Sequence, residues 1–480
     1  MTLKSGTGAL LAASVFLFCG CPQGSGSKPK AVLQPFRGQE VEFLAPASMR
    51  LSTLWDVSLH EWMDQTGATL RWNEYSPDGE DSLEKKLAGP IPGGGRVILF
   101  PLAQLSSVDQ RLAPMTAGTT SINLKDLFKG LRERVVTRNR DVVAIPLAAP
   151  VPLCYYRADL LRAAGLKAPE TWEEYQELID SLDRWAPGLS VVEPLGAGHR
   201  ATTFFARSLA YVKHPENYSV WFDLASGKPV LETAGFQESI TMASRAWEKM
   251  PPEILSYSPL DCRNQILSGK AALAIGQEPL SSLKIERKDG IEVGICRLPG
   301  SRRVYNSNAN RWDTLPQSVI HAPGICGYEG IAIAVGTASE SEPETDSAAA
   351  WHLLTMLTDD QFESSWSSLP KGPCRESQIS VASTWNESGL TAEESSRAVD
   401  AMAQMLRDPQ LVADIPLPSA SLFQQDTSLV LEKLIKKEID AGEALKQIQA
   451  AFIRRATEVG EAKIRADHRR GLGLATQGKP

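Results

Sequence analysis

Apolar positions change their period several times along the chain. Glu40 to Ala45 starts as an alternation and reads as a strand. From Ser52 to Gly67, Leu54, Val57, Leu59, Trp62 and Met63 recur near helical spacing, and Gly67 ends the run. Ala68 to Tyr75 alternates again. Arg96 to Phe100 is a short apolar run, the pattern of a strand covered on both faces. Strand, helix, strand, helix, strand predicts a mostly parallel α/β sheet.

A second region of the same kind starts near Asp141. Val142 to Ile145 and Leu153 to Tyr156 are strand-like, and Asp159 to Gly165 is a short helix. Thr171 followed by Glu174 forms a capping box that opens another helix. Ala271 to Ile275 and Ile291 to Leu298 read as strands. From Asp346 the chain is helix-rich, with Leu445, Ile448, Ala451 and Phe452 on one face of Glu443 to Arg455. Trp62, Trp172, Trp247 and Trp351 fall within helical patterns and are expected in the core, whereas Trp312 lies in a polar segment. No repeat is evident at a period of 20–50 residues.

The N-terminus breaks this pattern. Leu10 to Phe18 is an apolar run behind Lys4, too short to span a bilayer and suited to a secretory signal. Gly20-Cys21 resembles the bacterial lipobox, although Phe18 stands where that motif usually has Leu. Cleavage before Cys21 and lipidation of Cys21 are the expectation; ordinary signal cleavage is the alternative. Pro22 to Pro35 reads as a tether, with a reach of at most about 45–50 Å. No later stretch is apolar for long enough to cross a membrane, so the body is expected to be held at a membrane surface by lipid alone.

At 480 residues the chain is long enough for two large lobes. Its net charge of −7 lacks the basic footprint of a nucleic-acid binder. The basic residues from Arg454 to Arg470 are interleaved with Glu458, Glu461 and Asp467 and read as a solvated helix face. Seven cysteines are too few for a disulfide scaffold. One bridge is conceivable, with Cys296–Cys326 favoured because both flank strand-like segments.

Catalytic and cofactor motifs are missing. None of the six histidines stands in a zinc-binding helical frame. There is neither a nucleophile elbow nor a P-loop. Gly196 to Ala201 fits only a loose dinucleotide pattern, with no strong strand before it. No cofactor and no metal are expected.

Many weak motifs in a fixed order carry a resemblance over roughly residues 40 to 475. The quoted stretches are Glu61 to Ala68; Arg96 to Phe100 with Leu112-Ala113-Pro114; Ala144 to Leu147; Leu153 to Leu161; Ala164-Gly165-Leu166; and Pro169 with Thr171 to Tyr175. Later come Phe222-Asp223, Gly269 to Ile275, Leu298-Pro299-Gly300, Gly330 to Val335 and Lys371 to Ser377. In this order the chain resembles the extracellular solute-binding proteins of sugar ABC importers, the maltose-binding-protein-like group.

That resemblance implies an α/β, periplasmic-binding-protein-like fold of two lobes with a hinge and an interlobe ligand cleft. It maps residues 1–20 to the signal and 21–35 to the tether. Lobe one becomes 36–148 plus 296–336, lobe two 149–295 plus 337–475, and 476–480 a tail. It implies a non-enzymatic, monomeric protein that passes a small solute, a sugar, to ABC permease subunits from a membrane face outside the cytoplasm. By motif position it implies ligand contacts from Glu74, Phe100, Gln104, Glu193, Gln277, Glu278, Arg375 and Phe423. Tyr155 and Tyr156 split between core and cleft, and Trp312 joins as an aromatic candidate. A sugar cleft needs such aromatic faces and polar rims.

The chain departs from the group where Ala148 to Pro152 is apolar and where Gln277 replaces a common Trp. The insert Ser301 to Pro323 suggests a cleft-rim loop. Three readings stay open beside the sugar importer: a non-sugar solute such as an oligopeptide, polyamine or phosphodiester; a sensor partner for a membrane kinase; and a secreted glycosidase using paired carboxylates such as Glu74 and Glu193.

Overall fold

A computed structural model describes residues 34–49, 57–77, 79–115, 122–279, 287–337, 347–359, 373–379 and 389–474. The signal, Cys21, most of the tether, the expected helix start at Ser52 and the tail lie outside the described residues. Among those residues no helix is long and apolar enough to cross a membrane.

Two sheets organise the chain. The first has five strands in the order Thr69–Tyr75, Glu40–Pro46, Arg96–Pro101, Ile331–Val335 and Ile145–Ala148. Its first three strands run parallel, with helix Val57–Thr66 in the crossover, as the alternating pattern predicts. Ile331–Val335 enters antiparallel to both neighbours. It is buried along its whole length, as Arg96–Pro101 is up to its last residue. Arg96 and Glu42 form an ion pair inside this lobe, 2% and 3% exposed.

The second sheet runs Val293–Arg297, Leu153–Arg157, Ala271–Gly276 and Ser190–Val192. Helix Arg200–Val212 is buried on all sides, packed between Ala234–Trp247 and Ala420–Ile435. Phe204, Phe205, Trp221, Phe236 and Phe452 form the aromatic centre there. The capping box of Trp172–Asp180 is present as expected, with the Glu174 N–H donating to Thr171 Oγ1 at 3.2 Å. The four tryptophans expected in the core are all buried.

Two stretches cross between the lobes side by side. Ala149 to Pro152 joins strand Ile145–Ala148 to strand Leu153–Arg157, and Gly327 to Gly330 leads into Ile331–Val335. They touch at Gly330, where φ is 101° and a Cβ would lie 2.3 Å from the Ala148 carbonyl oxygen. Only glycine allows that approach. The first crossover is buried, which explains its apolar Ala-Pro-Val-Pro sequence.

The lobes divide the chain differently from the motif mapping. Cys296 and Arg297 belong to a strand of the second sheet, so the expected boundary at 295/296 falls inside that strand. Gly300 bridges to Thr171, and the hairpin Arg303–Asn306 with Arg311–Thr314 packs on the second-lobe helices. The chain thus returns to the first lobe only near Gly327. Ala348–Leu357, expected in the second lobe, packs on the first sheet instead.

The cysteines also differ from expectation. Cys296 faces Cys154 across the second sheet, while Cys326 pairs with Ala413 in a separate two-stranded ladder. All five described cysteines are free thiols. The basic C-terminal segment is more than a solvated face: Arg470 of helix Glu461–Gly471 binds Asp109 of the first lobe at 3.1 Å, beside Arg138. Asp109 is 7% exposed, so this helix ties the two lobes by an interior ion cluster.

Candidate functional site at the lobe junction

Strand Ala271–Gly276 ends at the junction and delivers Gln277 and Glu278 there. Strand Ser190–Val192 delivers Glu193 and Pro194. Three helices begin at the same place: Trp172–Asp180, Arg200–Val212 and Pro259–Leu267. Ends of strands in an α/β lobe are where ligand contacts usually arise. A narrow crevice of about 370 Å³ opens among Pro152, Trp172, His199, Arg207, Gln277 and Tyr328. Its enclosed part holds room for about one water molecule.

The polar groups of this region fall into two sets. One set is closed upon itself. Glu278 accepts from Arg263 Nε and Nη2 at 2.8 and 2.9 Å and from the Tyr155 hydroxyl at 2.8 Å. Burial, and then the Glu278 carboxylate, push the Tyr155 phenol well above its usual range, so it stays a neutral donor. Glu193 is fully buried; it accepts from Arg207 Nη1 and, at 2.9 Å, from Trp247 Nε1. The Arg207 guanidinium lies 3.9 Å from the Trp172 ring centroid, a cation–π contact.

The other set spans from the second lobe to the crossover. The Tyr328 hydroxyl donates to Gln277 Oε1 at 3.1 Å, and Gln277 Nε2 donates to the Glu329 carboxylate. His199 Nδ1 lies 3.7 Å from Glu329 Oε1. These contacts fasten Gln277 to the segment on which the lobes hinge.

Of the residues the sequence singles out, only Gln277 lines the crevice. Glu278 and Tyr155 lie behind it in their closed cluster, and Glu193 behind Arg207. Phe100 is wholly buried in the first sheet, and Phe423 is wholly buried against Phe222 and Phe452. Tyr156 faces away from Tyr155, opposite Gly294. Trp312 packs edge-on against Tyr211 and Tyr305 with Arg303 above it, so the Ser301 to Pro323 insert covers a second-lobe helix rather than rimming the crevice. Arg375 is 3% exposed and donates to the Thr358 carbonyl at 3.1 Å. Glu74 and Gln104 stand at the end of first-lobe strands, half-buried; Trp72 Nε1 donates to Glu74 at 3.2 Å. Sequence reasoning missed His199, Arg207, Tyr328 and Glu329. For three of them the signal was position: Tyr328 and Glu329 sit just before a strand and His199 just before a helix, whereas Arg207 lies mid-helix and gave none.

No protein-family model matches the sequence, and neither does any curated protein. Solved structures do match by shape. The sugar-binding protein MalE of Xanthomonas citri superposes with a TM-score of 0.60 at 16% identity, over 87% of this chain and 98% of that one. A solute-binding protein of an ABC transporter from Agrobacterium radiobacter, solved with ribitol, gives 0.59 at 16%, over 88% and 100%. Maltose-bound MalE3 of T. maritima gives 0.58 at 16%, over 86% and 98%. The chain has the two-lobe fold of the periplasmic solute-binding proteins.

Proposed function

We propose that the protein is the solute-binding component of an ABC-type importer and captures a carbohydrate between its lobes. It acts outside the cytoplasm, tethered through a lipid on Cys21, and presents its closed form to permease subunits as a monomer. The observation that carries this reading is the pair of crossovers meeting at Gly330 beside a crevice that carries a few polar groups. Two lobes joined by narrow connections can close on a ligand, and the ligand shifts the open–closed population. The solved neighbours that bind maltose and ribitol support a sugar or polyol as the solute.

The arrangement of carboxylates supports binding over hydrolysis. Glu193 is sealed in the interior between Arg207 and Trp247, and Glu278 between Arg263 and Tyr155. Neither is placed to exchange protons with a glycosidic oxygen. The ligand-facing polar groups are then Gln277, His199 and Glu329, with Glu74 and Gln104 from the first lobe.

The test is a thermal-shift screen of the chain from Lys28 onward, which contains every described residue. The panel holds mono- and oligosaccharides, polyols, polyamines and short peptides. A ligand that binds only the native state raises the midpoint by mass action. A saturating shift with one sugar class, and no product on chromatography, is the expected result. A shift confined to peptides or polyamines would overturn the carbohydrate assignment, and product formation would overturn the binding-protein reading.

A further inference from the structure

The groups left without partners around the crevice are of one kind. Trp172 Nε1 and Arg207 Nη2 are buried and make no hydrogen bond, and both residues line the crevice. Trp172 is 1% exposed and Arg207 2% exposed. Both unpaired groups are donors. A buried donor without an acceptor costs free energy, so a site that keeps two of them awaits an acceptor.

The field at the crevice has the same sign. Trp172, Thr202, Thr203 and Pro259 lie in the first turns of three helices of 9, 13 and 9 residues. Each N-terminus carries roughly half a positive charge. The helices starting at Trp172 and Pro259 have capping boxes, but Arg200–Val212 starts at His199 without a side-chain cap. Two carboxylates face this field. Glu193 takes Arg207 Nη1 and leaves Nη2 unpaired, and Glu329 is held by Gln277. The remaining wall is apolar, formed by Pro152, Pro194, Ile275 and Leu298, and such surroundings strengthen a charge-assisted hydrogen bond.

We propose that this crevice is a subsite for an anionic substituent of the ligand, a carboxylate or a sulfate ester, so that the transported carbohydrate is an acidic one. The inference rests on the carbohydrate reading above and narrows it. The size sets the mode of entry: the enclosed space takes about one water-sized oxygen atom, so a single oxygen of the anionic group enters it and the sugar ring stays outside. That group meets Trp172 Nε1 and Arg207 Nη2, while the ring it belongs to lies outward, toward Gln277 and Glu329.

The experiment is calorimetric titration of the full chain with matched probes. These are digalacturonate against galactobiose, galactose 6-sulfate against galactose, and inorganic sulfate alone. The expected result is at least about tenfold tighter binding of one acidic probe than of its neutral counterpart. Which acidic probe wins separates the carboxylate from the sulfate ester. Trp172→Phe keeps the ring beneath Arg207, removes one donor, and should weaken the acidic probe alone by about tenfold. The comparison of acidic with neutral probes needs no variant, so it holds even if that protein folds poorly. Equal or tighter binding of the neutral sugars would overturn the anionic subsite and leave the carbohydrate reading standing. Binding of inorganic sulfate with no binding of any sugar would keep the anion site and sink the carbohydrate reading. Absence of binding by every probe would overturn the subsite.

Discussion

The two lobes meet the junction with opposite hydrogen-bonding character. The second lobe brings three helix N-termini, the Arg207 guanidinium and the Trp172 indole, all donors. The acceptors proposed to face it from the first lobe are the half-buried Glu74 carboxylate and Gln104 Oε1, which is buried without a partner. A ligand bridging them must therefore accept on one side and donate on the other. Sugar hydroxyls do both, and an acidic sugar does so with its anionic end toward the second lobe. The contrast has a structural cause. The second-lobe strands also end there, but their carboxylates Glu193 and Glu278 are already taken by Arg207 and Arg263, which leaves the helix starts and the unpaired donors at the crevice.

The interior ion pairs give the largest effect by which to probe this contrast. Arg263→Met leaves the buried Glu278 with only the Tyr155 hydroxyl of its principal partners. It should cost about 3–5 kcal/mol in denaturant unfolding, because the cost of an unpaired buried charge exceeds that of a missing contact. A loss below about 1 kcal/mol would show that this pair is solvated and available to ligand. Arg96→Met leaves Glu42 of the first lobe with Asn73 and Arg71, so it should cost less, about 2 kcal/mol. Two resolved transitions responding separately to the two variants would show that the lobes melt independently.

The acid dependence sharpens the comparison at an intermediate size. Burial holds the His468 imidazole down at about 3, so the folded protein refuses a proton that the unfolded chain takes near pH 6.5. Its contribution to stability is complete above about pH 6.5 and falls by about 1.4 kcal/mol per unit below it. Asp414 works in the opposite sense. Burial raises its carboxyl to about 6, so its stabilising contribution is present below about pH 4 and is lost as the pH rises to 6. The two offset each other between pH 6 and 4. His468→Gln should remove one side, and the stability difference between variant and parent should change by about 2 kcal/mol from pH 7 to pH 5. A constant difference over that range would mean that His468 takes up its proton at the same pH in the folded and the unfolded chain.

Smaller effects test the junction itself. Gln277→Ala removes the bonds to Tyr328 and Glu329 and should cost about 1 kcal/mol. It should also raise the radius of gyration without ligand, as the lobes part more readily; an unchanged radius would assign the lobe geometry to the Arg470–Asp109 contact. Thr171→Ala breaks the capping box of a second-lobe helix and should cost about 1 kcal/mol in urea unfolding. No measurable loss would show that the cap does not hold that helix start.

Much of the fold was legible because burial writes its period into the chain. Arg96 to Phe100 and Ala271 to Ile275 are covered on both faces and read as continuous apolar runs. The Thr171 capping box is a local interaction and was readable for that reason. The site was far less legible. Glu193 and Phe423 stand at positions that the resemblance marks as ligand contacts, yet both are wholly buried. Sequence position cannot say whether a strand-end carboxylate meets solvent or a neighbouring arginine 14 residues further along.

The sequence by itself determined the α/β class, most strands of the two sheets and the Thr171 helix cap, since each depends on residues close together in the chain. Only the tertiary structure decided which lobe holds Cys296 and Ala348, because strand partners and packing faces are set by distant residues. It also decided that Arg263 and Arg207 neutralise the two candidate carboxylates, and that Trp172 and Arg207 keep donors free at the crevice. Charge pairing and unpaired donors are properties of neighbours in space, and no spacing in the chain encodes them.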